Sequence, residues 1–567
     1  MPLFIAIITA FALACIGPPG HEPAELVLRR GAVYVGDAAG TRAESLAIRG
    51  GILVYVGTDA GITALIGPGT RVVELEGRLV LPGFHDAHVH PIAAGLEAMR
   101  CQLGGIARRE GLEARIRECA AAQTGRAWVE GGGWELPLFA EANPHKELLD
   151  ALVPDRPALL ISADGHSAWA NSRALSAAGV TRATPNPVNG RIERDARTGE
   201  PSGTLRESAV ELVGRAAPPT TPGELAEALR RGLTELATLG VVCAHEANAT
   251  PAYWDAYLSW QTSGATGPRV RAALALPADA ATVDPLPSLV AARARAHGAR
   301  LRADAVKLFL DGVIEARTAA LLEPYEGGDD RGSPMFNPAA LDSLVSRLDA
   351  AGFQVHMHAI GDRAVRMGLD AVERARALNG PRDARHTLAH LELVSPDDLP
   401  RFAALGVVPN VQALWAQADP YITELTIPLI GDERSLDLYP IGSLFASGAV
   451  VAAGSDWPVS SANPLAAVEV GITRRAEGSG PGPGWLPEQR ADLTQMLAAY
   501  TRGGAWLDFE EHERGTVEPG KSADLVVLDR DLFAIPVHEI SATRVLWTIA
   551  DGETIWLATP KVLPGAR

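Results

Sequence analysis

The stretch Leu81-Pro82-Gly83-Phe84-His85-Asp86-Ala87-His88-Val89-His90 decides how this chain is read. On a strand, residues two apart point to one face, so His88 and His90 can reach a single ion. Imidazole nitrogen suits zinc and its transition-metal neighbours. Four later strand-like segments carry residues of the same kind: Lys307, His358, His390 and Asp456. In this order they form a ligand set for one or two divalent metals, with zinc the leading expectation.

Outward from that stretch, strand-like runs alternate with long Ala/Leu/Arg helices. Eight runs are read: Val80–His90, Ala127–Gly131, Val241–His245, Ala305–Leu310, Phe353–His358, Thr387–Leu391, Val407–Val411 and Val450–Asp456. Helices such as Glu224–Leu239, Pro338–Ala351 and Arg363–Asn379 fall between them. Eight β/α alternations predict an α/β fold, a distorted (β/α)8 TIM-type barrel over 82–512. The stretch 136–222 breaks the rhythm and reads as an insertion over the barrel mouth. Short strands with Gly-containing turns fill 21–81 and return over 513–567, with Asp551-Gly552 as a hairpin turn. Neither end has enough strands for a core of its own, so the two are expected to pair into one small β-sandwich.

The chain has 567 residues, 47% apolar and 21% charged, an ordinary soluble profile. A net charge of −17 without a basic cluster excludes nucleic acid as a partner. Four cysteines (Cys15, Cys101, Cys119 and Cys243) are too scattered for a disulfide framework, and three mature packing thiols are expected. Leu3–Ala14 is apolar apart from Thr9, which matches a signal peptide over 1–20. Ala12-Leu13-Ala14-Cys15 also resembles a lipoprotein processing site. Export to the periplasm or a membrane-anchored form is expected, with cytoplasmic residence as the alternative. Membrane contact is expected only through a lipid on Cys15.

In a parallel barrel, functional side chains gather at the C-terminal ends of the strands. Lys307 lies within Ala305-Val306-Lys307-Leu308-Phe309, and burying an ammonium is costly. It must pair, with Asp304 or Asp311, lose its proton, or be modified. A neutral amine can take up CO2, and the resulting carbamate can bridge two metals. Asp456 can accept a proton from metal-activated water and return it to a leaving group, or merely cap the turn before Trp457-Pro458. His356 shares a face with His358 and reads as pocket-shaping, His245 as a core histidine. His386 lies about 13 Å along the strand from His390 and reads as peripheral.

Together these residues resemble the amidohydrolase superfamily, and more narrowly amidohydrolase family 3, the branch that includes N-substituted formamide deformylase. The matching passages are Leu81–His90, Val306–Gly312, Arg317–Pro324, His358–Arg363, His390, Gly454–Val459 and Gly515–Asp524, with Asp164–Asn171 in addition. The resemblance implies hydrolysis of an amide-type C–N bond, N-acyl or N-formyl, by metal-activated hydroxide. It carries over His88, His90, His358, His390 and Asp456 as metal ligands, Asp456 also as base, and Lys307 as a carbamylated bridge. Trp134, His166 and Arg317 are candidates for contact with a small-molecule substrate. Gln412-Ala413 and Glu392 depart from the family pattern and bear on the pocket wall. A non-catalytic exported binding protein and a metal-assisted isomerase or lyase are the rival readings, and a homodimer is left open.

Overall fold

The computed structural model describes residues 22–276, 280, 283–296 and 298–558. The expected leader and Cys15 lie outside these residues. Eight parallel strands form the central sheet. They are β1 (Phe84–Val89), β2 (Val241–Ala249), β3 (Arg269–Ala275), β4 (Leu301–Phe309), β5 (Gln354–Ala359), β6 (Thr387–His390), β7 (Val408–Val411) and β8 (Ala452–Ala453). Neighbours in the sheet are neighbours in sequence, with helices in most of the crossovers, as a parallel barrel requires.

The circle closes without a regular ladder between β8 and β1. Asp456 N–H donates to the His88 carbonyl at 2.7 Å, and His90 N–H donates to the Trp457 carbonyl at 2.9 Å. Asp86 latches the same seam, accepting from Ser455 N–H at 2.9 Å and the Ser455 hydroxyl at 2.6 Å. A Cβ on Gly454 would sit 2.5 Å from His88 N, so only glycine allows β8 this close to β1. Closure of the barrel and placement of the first histidine pair are therefore one event.

The helix Pro222–Thr238 illustrates why the outer layer forms where it does. Thr221 and Glu224 make a capping box, and Pro222 occupies the first turn, where no intrahelical N–H bond is lost. Leu225, Leu229, Leu233 and Leu236 recur at helical spacing and are buried against the barrel. A Cβ on Gly95 would meet the Ala228 carbonyl at 2.0 Å, so the helix Pro91–Ala98 lies directly on this one.

Two expectations need correction. Ala127–Gly131 is no barrel strand: Val129–Trp134 pairs in parallel with Ala158–Ser162 in a separate six-stranded sheet. The barrel strand missed is Arg269–Ala275, whose flanking arginines mask its apolar centre. The inserted sheet begins at Cys101–Gln102 and ends at Pro201–Glu207, so the insertion starts before residue 136. A β/α rhythm reports local period only and does not say which sheet a strand joins.

The second correction concerns cysteine. Cys101 and Cys119 form a disulfide across 18 residues. The helix Arg109–Ala122 folds back over the strand Cys101–Gln102, which brings the two sulfurs together. Cys243 is the free buried thiol among the described residues.

The chain ends pair as expected. Leu525–Leu528 runs antiparallel to Leu79–Pro82, and Val545–Ala550 pairs with Glu553–Leu557 through Asp551-Gly552, both at positive φ. A four-stranded sheet built from 26–74 faces this one across Leu28, Val73, Val80, Val527 and Trp547. Among the described residues, no helix is long and apolar enough to cross a membrane.

Candidate metal centre

His88 and His90 both reach one carboxylate. Their Nε2 atoms lie 3.5 and 3.2 Å from Asp456 Oδ1, and His390 Nδ1 lies 3.9 Å from Asp456 Oδ2. Ligand atoms of His88, His390 and Asp456 fall within 4.8 Å of one another. The ring of His358 is 4.6 Å from that of His390. Residues drawn from β1, β5, β6 and β8 thus meet at the C-terminal end of the barrel.

Each histidine is turned by a partner on its far side. His90 Nδ1 donates to Glu246 Oε1 at 3.0 Å, leaving Nε2 towards the centre. His88 Nδ1 shares a hydrogen with His356 Nε2 at 2.9 Å, leaving Nε2 free. His358 Nε2 donates to the Gly312 carbonyl at 3.1 Å, leaving Nδ1 outside that bond. His390 stacks on Trp415 with 5° between the planes.

His390 and Asp456 also hold φ values of 78° and 54°, in the left-handed region. Such backbone costs about 1–3 kcal/mol per residue and persists where the surroundings over-determine it.

The chemistry of this donor set fits a divalent cation. His88 Nε2, His390 Nδ1 and Asp456 Oδ1 are buried and lack any hydrogen-bond partner, yet all three face the same point. Buried polar atoms are otherwise almost always satisfied, so three converging orphans call for a shared charge. Burial works against ionisation of Asp456. His90, whose Nε2 lies 3.2 Å from Oδ1, and the fields of His390 and Lys307 outweigh it and hold the carboxyl below its ordinary range.

Lys307 is 2% exposed, and burial pulls its pKa down to about 8 against the fields of Asp456 and Glu246. Neither expected partner reaches it. Asp304 is taken by Arg302, and Asp311 accepts N–H bonds from Ala320, Ile360 and Gly361. The amine instead lies 4.7 Å over the Phe309 ring and lines the same cavity as the histidines.

Of the substrate candidates, His166 is at the site. Its Nδ1 lies 2.8 Å from Glu207 Oε2, its ring is 5.0 Å from that of His358, and it lines the cavity. Burial opposes its charge, but Glu207 and Asp164 lift its pKa to about 9, so it stands as a cation. Trp134 is elsewhere: fully buried in the inserted sheet, it packs on Phe139 and Trp169 and donates to the Leu160 carbonyl. Arg317 turns to the Glu326 carbonyl and the Tyr325 ring rather than to Glu315 or Glu323.

His386 is a core group bonded to Asp349 and to Val355 N–H. His245 and Cys243 approach Asp508, with His85, towards the starts of β1 and β2 and away from the centre. Sequence reasoning missed Glu246 and Asp86. Asp86 lies inside the deciding stretch, and Glu246 follows His245; a buried carboxylate at a strand end was the available signal for both.

The centre opens into a cavity of about 690 Å³ under the inserted sheet, and into a side pocket of about 250 Å³ beyond His358 and His390.

The description of the amidohydrolase family matches residues 71–556, and the chain belongs to that family. Protein LONG AFTER FAR-RED 3 of Arabidopsis thaliana is 32% identical over 96% of this chain and 94% of its own length. N-substituted formamide deformylase of Arthrobacter pascens is 26% identical over 93% of this chain and 97% of its own. A crystal structure of an uncharacterized metal-dependent hydrolase from Pyrococcus furiosus superposes with a TM-score of 0.68 at 25% identity, covering 89% of this chain and 99% of the other. The protein is a metal-dependent hydrolase of this family.

Proposed function

We propose that this amidohydrolase cleaves a C–N bond of amide type, N-acyl or N-formyl, in a small molecule. The observation that carries the reading is the convergence of His88 Nε2, His390 Nδ1 and Asp456 Oδ1, all unpartnered, beside a cavity large enough for a substrate. The bond class draws support from the relative named for N-substituted formamides. The complete ligand set argues against a degenerate binding protein.

His88, His90, His358, His390 and Asp456 would hold one or two divalent ions, with zinc favoured by the imidazoles. A carbamate on Lys307 is part of the proposal, supported by an unpaired buried amine whose neutral form is accessible. A bound ion supplies Lewis acidity to the carbonyl oxygen and brings the pKa of water towards neutrality.

The chain does the rest. Asp456 takes a proton from the attacking water and delivers it to the departing nitrogen. Water adds to the carbonyl carbon, the C–N bond breaks, and a carboxylic acid and an amine leave. A contact between His166 and the substrate is part of the proposal, supported by its ring lying 5.0 Å from that of His358 on the cavity wall. Export is proposed as well, supported by the Cys101–Cys119 disulfide, since such bonds persist in oxidising compartments.

The test combines elemental analysis of the purified protein with amine release from a panel of N-formyl and N-acyl amines. Chelation should abolish release, and zinc or manganese should restore it. Asp456→Asn should lower kcat about a hundredfold or more. Metal-loaded protein that releases no amine from any member of the panel would overturn the bond assignment.

A further inference from the structure

The side pocket beyond His358 and His390 is unusually rich in acidic side chains. Besides Asp456, five carboxylates line it: Glu135, Asp164, Glu315, Glu392 and Asp419. They come from distant parts of the chain, so no local sequence run explains them. None of the five has an ion-pair partner among the described residues, whereas most arginines of this protein are paired with carboxylates elsewhere. Of the three histidines on the wall, His358 and His390 turn to the candidate metal centre and His166 is taken by Glu207.

Neutral donors meet part of the demand. Tyr421 donates to Glu135 at 2.9 Å, Thr426 donates to Glu315 at 2.5 Å, and Ile422 N–H donates to Asp419 at 3.1 Å. Two buried oxygens remain without any donor: Glu392 Oε1 and Asp164 Oδ2. Glu392 is only 3% exposed and stands on the pocket wall. Burial, with the repulsion of Asp164 and Asp419, pushes Glu315 up to about 7, as expected where negative charge is held without a counter-charge. The wall between the carboxylates is aromatic, formed by Trp415, Tyr421 and Tyr439. Faces of such rings attract cations.

We propose that this pocket takes the cationic end of the substrate, an ammonium or guanidinium group, while the scissile bond lies at Asp456. The pocket shares His358, His390 and Asp456 with the metal centre, so both ends of one molecule fit within a short spacer. A volume of about 250 Å³ suits an alkylammonium or alkylguanidinium arm rather than a second ring system. The inference deepens the amide-hydrolysis reading and rests on it for the word substrate; the binding claim stands by itself.

The experiment uses the full-length, metal-loaded protein. Butylammonium, butylguanidinium and the neutral isostere butanol are titrated calorimetrically into wild type, Glu392→Gln and Glu315→Gln. Thermal melts confirm that each variant folds. At least one cation should bind about tenfold or more tighter than butanol, and that preference should fall about tenfold in Glu392→Gln. The tighter of the two cations tells ammonium from guanidinium. Equal binding of cation and alcohol in wild type, or an unchanged preference in both variants, overturns the proposal. A parallel assay compares N-formyl derivatives of a monoamine and of a diamine. A higher kcat/KM for the diamine, lost in Glu392→Gln, supports the assignment, and equal values overturn it while leaving hydrolysis intact. Selective cation binding without hydrolysis of either derivative supports the pocket and removes the amide reading instead.

Discussion

Replacing Glu246 by glutamine removes one negative charge and almost no volume directly behind His90. Glu246 is 0% exposed; its Oε1 accepts from His90 Nδ1 and from Asn248 N–H, each at 3.0 Å, and its Oε2 accepts from Tyr257 at 2.8 Å. A bond to an ionised acceptor contributes about 1.5–3 kcal/mol and a neutral one about half of that, so the glutamine variant should lose about 1–1.5 kcal/mol of support for His90. That corresponds to a weakening of metal binding by about tenfold, within the range of about 10–100-fold seen when partners behind a ligand are altered. Alanine is a harsher change. It strands the Tyr257 hydroxyl and His90 Nδ1 in a buried site, at about 1–3 kcal/mol each, so the metal-free fold should also weaken by about 2–6 kcal/mol. Competition with a chromophoric chelator measures the first effect, and urea unfolding of chelated protein measures the second. Wild-type metal affinity in Glu246→Gln, with folding confirmed, would refute the idea that this carboxylate holds His90 in its ligating pose.

Three further outcomes are expected. Gly454→Ala places a Cβ 2.5 Å from His88 N, which forces β8 away from β1; metal binding should fall and urea stability drop by about 1–3 kcal/mol. Cys101→Ser opens a loop of 18 residues, for which chain entropy gives a loss of about 3 kcal/mol, readable as a lower thermal midpoint that reductant reproduces in wild type. The third concerns acid. Burial raises the Asp551 carboxyl, but Arg269 and Arg514 more than reverse this and lower it to about 2. A depressed carboxyl contributes stability that is present above its unfolded pKa and lost as pH falls from about 4 towards 2. Its side chain is 40% exposed, so solvent screening reduces the contribution to about 1 kcal/mol. Asp551→Asn should therefore flatten the stability profile in that window, and an unchanged acid limb in urea titrations would count against the pairing.

The residues of the candidate metal centre were legible because each sits at the end of an apolar run, where local pattern alone marks a strand and its direction. His88 and His90 needed only the two-residue period of a strand, and Asp456 needed only its place after Ala452-Ala453. The resemblance then tied the segments to one family. Strand membership was not legible to the same degree. Val129–Trp134 carries the apolar texture of a barrel strand, and Arg269–Ala275 hides its own between arginines. The Cys101–Cys119 pairing was also out of reach, since it depends on a helix folding back onto a short strand.

What the sequence by itself determined is the inventory: the kinds of ligand, their order along the chain, and the sheet domain shared by both ends. Those follow from side-chain chemistry and short-range periodicity, which act over a few residues. What only the tertiary structure decided is which atoms face one another. Glu246 behind His90, Asp86 across the β1–β8 seam and five carboxylates from five separate segments in one pocket arise from contacts between residues tens to hundreds of positions apart. Such contacts are set by how the sheet closes and how its crossovers pack, and no local period encodes them.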